Sequence, residues 1–238
     1  MSFYNLHFRS KAAVEIRLLF LYYKRSRKGE LYMLQDKWIE FAVELQSLAQ
    51  AGLAYGKDVY DLERYTRIRE IAAEMIACKS DIPLEKVKNL FCNETGYQTP
   101  KVDTRAAVFK EGKILLVHEK NGTWSLPGGW CDVNQSVAEN TVKETLEEAG
   151  LNVKPVRMIA VQDRNKHNDP PYAYGIVKVF ILCEVISGAF TENIETTEIR
   201  YFGKEEIPEN LALEKTNKEQ IQMCFKANEA KHWETQFD

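Results

Sequence analysis

A mixed α/β domain with helices on both faces of its sheet, preceded by a small helical domain, is the fold class predicted for this chain. Three observations predict it. Apolar residues between Asp36 and Cys78 recur at three- and four-residue spacing, as on one face of a helix. Beyond Pro100 the pattern changes to short runs rich in β-formers. Those runs are interleaved with two delimited amphipathic segments, the order of elements that gives layered α/β architectures. At 238 residues, with 45% apolar and 28% charged residues, the chain suits one good core with a smaller unit attached.

The elements follow in order. Residues 1–34 carry seven Lys or Arg against two acidic residues, which leaves 25 basic and 33 acidic residues beyond them. Val14 to Tyr23 is short, contains Glu15 and Arg17 and lacks a cleavage site, so neither a spanning helix nor an export signal is read there. Lys28-Gly29-Glu30 can be encoded by a purine-rich ribosome-binding sequence ahead of Met33, so the natural start is expected at Met33. A basic helix lying on the domain is the alternative, and N-terminal sequencing of native material separates the two.

Asp36 to Ala51 reads as a helix stopped by Gly52, and Val59 to Cys78 as a second, with Asp58 placed to cap it. Two such helices (35–80) cannot bury both apolar faces alone, so they pack on the rest of the chain or on a twin, and a homodimer is expected. A short helix, Pro83 to Phe91, lies in a linker (81–100). The remaining domain (101–238) opens with strands at Thr104 to Phe109 and Lys113 to His118, joined through Lys110-Glu111-Gly112. A helix from Ser136 to Ala149 follows, with a capping box from Ser136 to Glu139 and Gly150 as its stop. Strands are expected at Val153 to Gln162, Tyr174 to Val185 and Ile199 to Phe202, then a helix from Asn217 to Ala230.

An acidic body excludes general binding of duplex nucleic acid, which needs a basic face. The five cysteines are odd in number, scattered and without CxxC spacing, which fits a reducing cytoplasm rather than a disulfide framework or zinc site.

The chemistry is carried by Gly128-Gly129 and the helix after it. Glu144, Glu147 and Glu148 stand at i, i+3 and i+4 and project from one face. Three crowded carboxylates repel one another unless a cation accounts for them, and Mg²⁺ or Mn²⁺ takes such oxygen ligands while bridging to phosphates. A solvated, salt-bridged face is the plain reading of a bare ExxEE; the glycine turn, capped start and terminating glycine at fixed spacing turn the reading toward a metal site. The turn lets backbone approach, so the Gly129 carbonyl is a further ligand candidate.

From Gly129 to Leu151 the stretch resembles the Nudix box, and the leader Trp124-Ser125-Leu126-Pro127-Gly128-Gly129-Trp130 resembles that family too. Gln135, Lys143 and Thr145 depart from the pattern, at a Glu, an Arg and an aliphatic position. Asp36 to Ala77 is similar to the helical domain that precedes the Nudix domain in bacterial enzymes associated with ADP-ribose and CDP-choline hydrolysis. The resemblance implies a Nudix α/β/α sandwich and a metal-dependent pyrophosphohydrolase. Glu144, Glu147 and Glu148 would hold Mg²⁺ or Mn²⁺, and Lys143 would orient them through an ammonium that cannot reproduce a guanidinium fork.

Substrate contacts are expected from Asp163 to His167, chiefly Arg164, Lys166 and His167, with Arg105 a weaker phosphate candidate. Trp130, Tyr172, Trp124 and Tyr174 offer stacking surfaces for a base, against a plain role in core or interface. Cys131 is read as a packed small residue, since no His is spaced to activate it, and His118 as structural. The rival readings are a ligand sensor without catalysis and an enzyme acting on RNA 5′ ends.

Overall fold

The computed structural model describes Gly29 to Asp238, apart from Asp81, Pro171 and Ala173. Of the basic segment and its expected start, residues 1–28 lie outside the described residues, and Met33 falls inside the first helix. The described residues form two compact units, one within 29–99 together with Tyr172 and Tyr174, the other within 100–170 together with Gly175–Asp238.

In the first unit α1 (Gly29–Tyr55) and α2 (Val59–Ser80) form a hairpin, with α3 (Leu84–Phe91) beside it. The core uses Ala42, Ala72 and Ala73, small enough for helices to approach closely, with Ile76, Val87 and Phe91 filling between them. Gly52 does not stop the helix, which continues to Tyr55. A Cβ at Gly52 would lie 2.5 Å from the Tyr65 ring of α2, so this glycine provides for helix contact rather than termination. Asp58 caps α2 as expected, its Oδ1 accepting the Tyr60 and Asp61 N–H groups at 3.0 Å.

The second unit is built on a mixed sheet. Its described strands are β1 (Lys101–Lys110), β2 (Lys113–Glu119), β3 (Trp124–Ser125), β4 (Leu151–Asp163), β5 (Ile176–Gly188), β6 (Thr196–Phe202) and β7 (Gln236–Phe237), in the order β3-β2-β1-β5-β4-β7 with β6 beside β2. β1 and β5 run parallel, and β4 and β5 form a long antiparallel pair. Period-two alternation divides β1 between two cores. Ala106 and Val108 face α4 (Val137–Ala149), whereas Ala107 faces α6 (Lys218–Glu229) with Phe225 and Ile221. The α/β/α sandwich is thus present. Three elements were not expected: the short strands β3 and β7, and a single turn α5 (Arg164–His167) in the expected substrate loop.

The segment after β3 completes the frame of the site. Thr104 N donates to Gly129 O, Ala106 N to Pro127 O, and Cys131 N to Val102 O, at 2.8–2.9 Å. The glycine turn is therefore held along the edge of β1 as an additional short strand.

Candidate active site

Helix α4 begins and ends where its sequence requires. Ser136 and Glu139 close a reciprocal capping box, and Gly150 takes the left-handed conformation at φ 68°. This fixes the helix against the turn, and the turn in turn requires glycine. Gly128 has φ 142°, and a Cβ there would lie 1.9 Å from Thr104 O. At Gly129 a Cβ would come within 2.6 Å of Glu144 Oε2. The missing side chains make room for carboxylates. Glu144 and Glu148 are buried against this backbone, and Gly128 N donates to Glu148 Oε2 at 2.8 Å.

The three glutamates are not equivalent. Burial pushes the Glu148 carboxyl up to about 8, and Lys215, Arg105 and the Gly128 N–H only partly offset it. Glu147 is 54% exposed and lies 3.5 Å from Lys143 Nζ. The same ammonium stands 3.0 Å from Asp132 Oδ2 and 3.1 Å from Glu144 Oε1. Burial opposes the Lys143 charge, but these carboxylates outweigh it and hold the ammonium above its ordinary range. Lys143 thus orients its neighbours through three point contacts rather than a fork. Among the described residues no three His, Cys, Asp or Glu side chains stand close enough to share an ion. Glu147 is the exposed member of the three. The Gly129 carbonyl accepts the Thr104 N–H, which leaves its second lone pair for any further role.

The cations expected to meet phosphate have other partners. Arg105 is 4% exposed and gives Nε and Nη2 to both Asp103 oxygens at 2.9 and 2.8 Å, and Nη1 to Leu126 O. Arg164 is 1% exposed, with Nε on Glu214 O and Nη1 on Asn165 Oδ1 and Pro170 O. Instead of a surface anion site, both meet protein oxygens. His167 Nε2 pairs with Asp238 Oδ1 at 2.6 Å, and exposed Lys166 lies 3.9 Å from Asp238 Oδ2. Trp130 bridges to Asp103 on the leader. Tyr172 belongs to the helical unit, its ring 5.9 Å from that of Tyr174. Trp124 is buried between His118 and Phe202, and His118 Nδ1 meets Thr197 Oγ1 at 2.9 Å, as suits structural roles. Burial and the Asp132 and Glu144 charges push the Cys131 thiol up, opposite to what a nucleophile needs.

Sequence reasoning missed a polar layer behind the carboxylates. Glu119 accepts from Lys215 at 2.8 Å and Ser125 at 3.0 Å; burial raises its carboxyl, yet Lys215 and Ser125 hold it below the ordinary range. Lys178, 1% exposed, pairs across the sheet with Asp103, its Nζ 3.8 Å from Asp103 Oδ2, and burial pushes it well below the lysine range. A lysine inside a continuous β-run (IVKVFILC) was the available signal.

Residues 99–224 match the model of the NUDIX domain, and residues 36–91 that of a UDP-X-like, N-terminal oligomerisation domain. The protein YjhB of Bacillus subtilis (strain 168), whose name places it among ADP-ribose pyrophosphatases, is 44% identical over 193 residues, 81% of this chain and 92% of that one. The structure of an ADP-ribose pyrophosphatase from Streptococcus suis 89-1591 is 51% identical, covers 59% of this chain and all of its own, and has a TM-score of 0.55. A UDP-X diphosphatase structure is 30% identical over 85% of this chain and 98% of its own, also with a TM-score of 0.55. With the glycine turn, the capped helix and its buried glutamates in place, these likenesses establish that the chain belongs to the Nudix family, as a hydrolase acting on diphosphate bonds.

Proposed function

We propose that the protein hydrolyses ADP-ribose to AMP and ribose 5-phosphate with the help of Mg²⁺ or Mn²⁺. The observation that carries the reading is the burial of Glu144 and Glu148 beneath a turn where only glycine fits, in a chain similar to two ADP-ribose pyrophosphatases. Such a pair fits a hard divalent ion. Burial raises the Glu148 carboxyl to about 8 in the protein alone, and a bound divalent cation would bring it back down. Glu144, Glu147 and Glu148 would hold the ion, Glu147 from the exposed side. A bound ion neutralises the diphosphate and makes a coordinated water more acidic. The residues of the chain do the rest: Gly128 N–H fixes one Glu148 oxygen, Lys143 tethers Glu144 and Glu147, and the leader on β1 keeps the turn rigid.

A UDP-linked diphosphate is the second reading, favoured by the UDP-X-like match of residues 36–91 and the UDP-X diphosphatase likeness. CDP-choline remains a test compound. The protein acts as a homodimer in the cytoplasm on this reading. All five cysteines are free thiols, no described helix is long and apolar enough to cross a membrane, and the N-terminal match is to an oligomerisation domain.

The test is release of monophosphate from ADP-ribose, UDP-glucose, CDP-choline, NADH and 8-oxo-dGTP with Mg²⁺ or Mn²⁺, beside Glu148→Gln. Turnover of ADP-ribose that is lost in the variant is expected. Binding without turnover of any compound would replace this reading with a ligand sensor.

A further inference from the structure

Three consecutive carbonyls between β6 and α6 are each held by a buried side chain. Asn168 Nδ2 donates to Leu213 O at 2.8 Å, Arg164 Nε to Glu214 O at 3.3 Å, and Lys178 Nζ to Lys215 O. The donors are 3%, 1% and 1% exposed. The same segment is fixed from another side, where Ala212 N donates to Trp124 O and Leu126 N donates to Thr216 Oγ1. An arginine and a lysine taken out of water to engage main-chain oxygens are a costly way to hold a surface segment. Lys215 sends its ammonium to Glu119 Oε1 at 2.8 Å, into the field of Glu148. Its side chain is 34% exposed, whereas Arg105, Arg164 and Lys178 are sealed. An ammonium has three donors, of which the Glu119 contact takes one.

We propose that Lys215 is the cation that receives the substrate's diphosphate beside the glutamate face, and that Arg164, Asn168 and Lys178 are positioning residues that aim it by clamping the carbonyls of residues 213–215. The proposal rests on the diphosphate reading above but not on which compound carries the diphosphate. It gives the two buried side chains Arg164 and Lys178 a purpose, since a loop ordered before binding does not lose entropy when the ligand arrives.

The test is calorimetric titration of the full chain with inorganic pyrophosphate in the presence of Mg²⁺. Lys215→Gln is expected to weaken binding on the order of tenfold or more, the scale of a lost charge-assisted hydrogen bond, and Lys215→Arg to restore most of it. Lys178→Met leaves the Lys215 charge in place and removes the grip together with the Lys178 contacts to Asp103 and Asn168; several-fold weaker binding is expected, and Asn168→Ser repeats the test from a second donor that does not touch Asp103. With the compound that is turned over, Lys215→Gln raises KM more than it lowers kcat. Pyrophosphate binding equal in wild type and Lys215→Gln, or absent in wild type, overturns the proposal. Wild-type binding with loss of hold in Lys178→Met and Asn168→Ser supports the clamp, and unchanged binding in both overturns it. Failure of the substrate reading looks different: pyrophosphate binds through Lys215 while no diphosphate compound is cleaved.

Discussion

Gly128 and Glu148 show how one residue's backbone sets another's chemistry. Only at φ 142° can the Gly128 N–H point at Glu148 while Thr104 O lies against its Cα. Gly128→Ala is therefore expected to destabilise the protein by about 2 kcal/mol or more and to remove activity, measured by denaturant unfolding and turnover. Glu148 yields a pH prediction. Its carboxyl sits at about 8 in the fold, above an ordinary value near 4.5, so the folded state binds the proton more tightly than the unfolded chain. Its contribution to stability is complete at low pH and is lost as pH rises through the interval from about 4.5 to about 8. Metal-free protein should thus lose melting temperature across that interval. Glu148→Gln, which keeps an acceptor for Gly128, should flatten the slope, and Mg²⁺ should flatten it in wild type. An unchanged slope in the variant would assign the effect to other groups.

Helix ends were the most legible feature of the elements, because capping uses neighbours in sequence. Ser136 with Glu139, Asp58 and Gly150 all lie where spacing placed them. Asp58→Ala should cost the helical unit about 1 kcal/mol, read as a lower unfolding midpoint. Gly52 shows the opposite case. A glycine at the end of an apolar pattern reads as a stop, and only the Tyr65 ring lying against it reveals a packing site. On α6, Phe225 is 2% exposed and meets Phe109 edge-on at 5.2 Å. Phe225→Ala should cost about 3–5 kcal/mol in the second unit, followed by urea unfolding.

Across the whole molecule, α1 presents Trp38, Phe41, Leu48 and Tyr55 at 47–68% exposure, at spacings of three and seven residues along one stripe. For a chain whose residues 36–91 match an oligomerisation domain, Phe41→Glu with Leu48→Glu should convert a dimer to a monomer by light scattering without lowering the helix content. A dimer unchanged by both substitutions would move the interface elsewhere. Fold class, the longer elements and the capped helix that carries the three glutamates were readable from the chain, because periodicity, caps and the glycine turn are local patterns that survive without knowledge of neighbours. The fates of Arg105 and Arg164 were not. A cation in sequence is equally a phosphate ligand or a buried brace, and the choice depends on strand pairing and on oxygens 21 and 50 residues away. Lys178 and Lys215 went unread for the same reason: their partners are adjacent only after β5 is laid beside β1 and the segment before α6 closes over both.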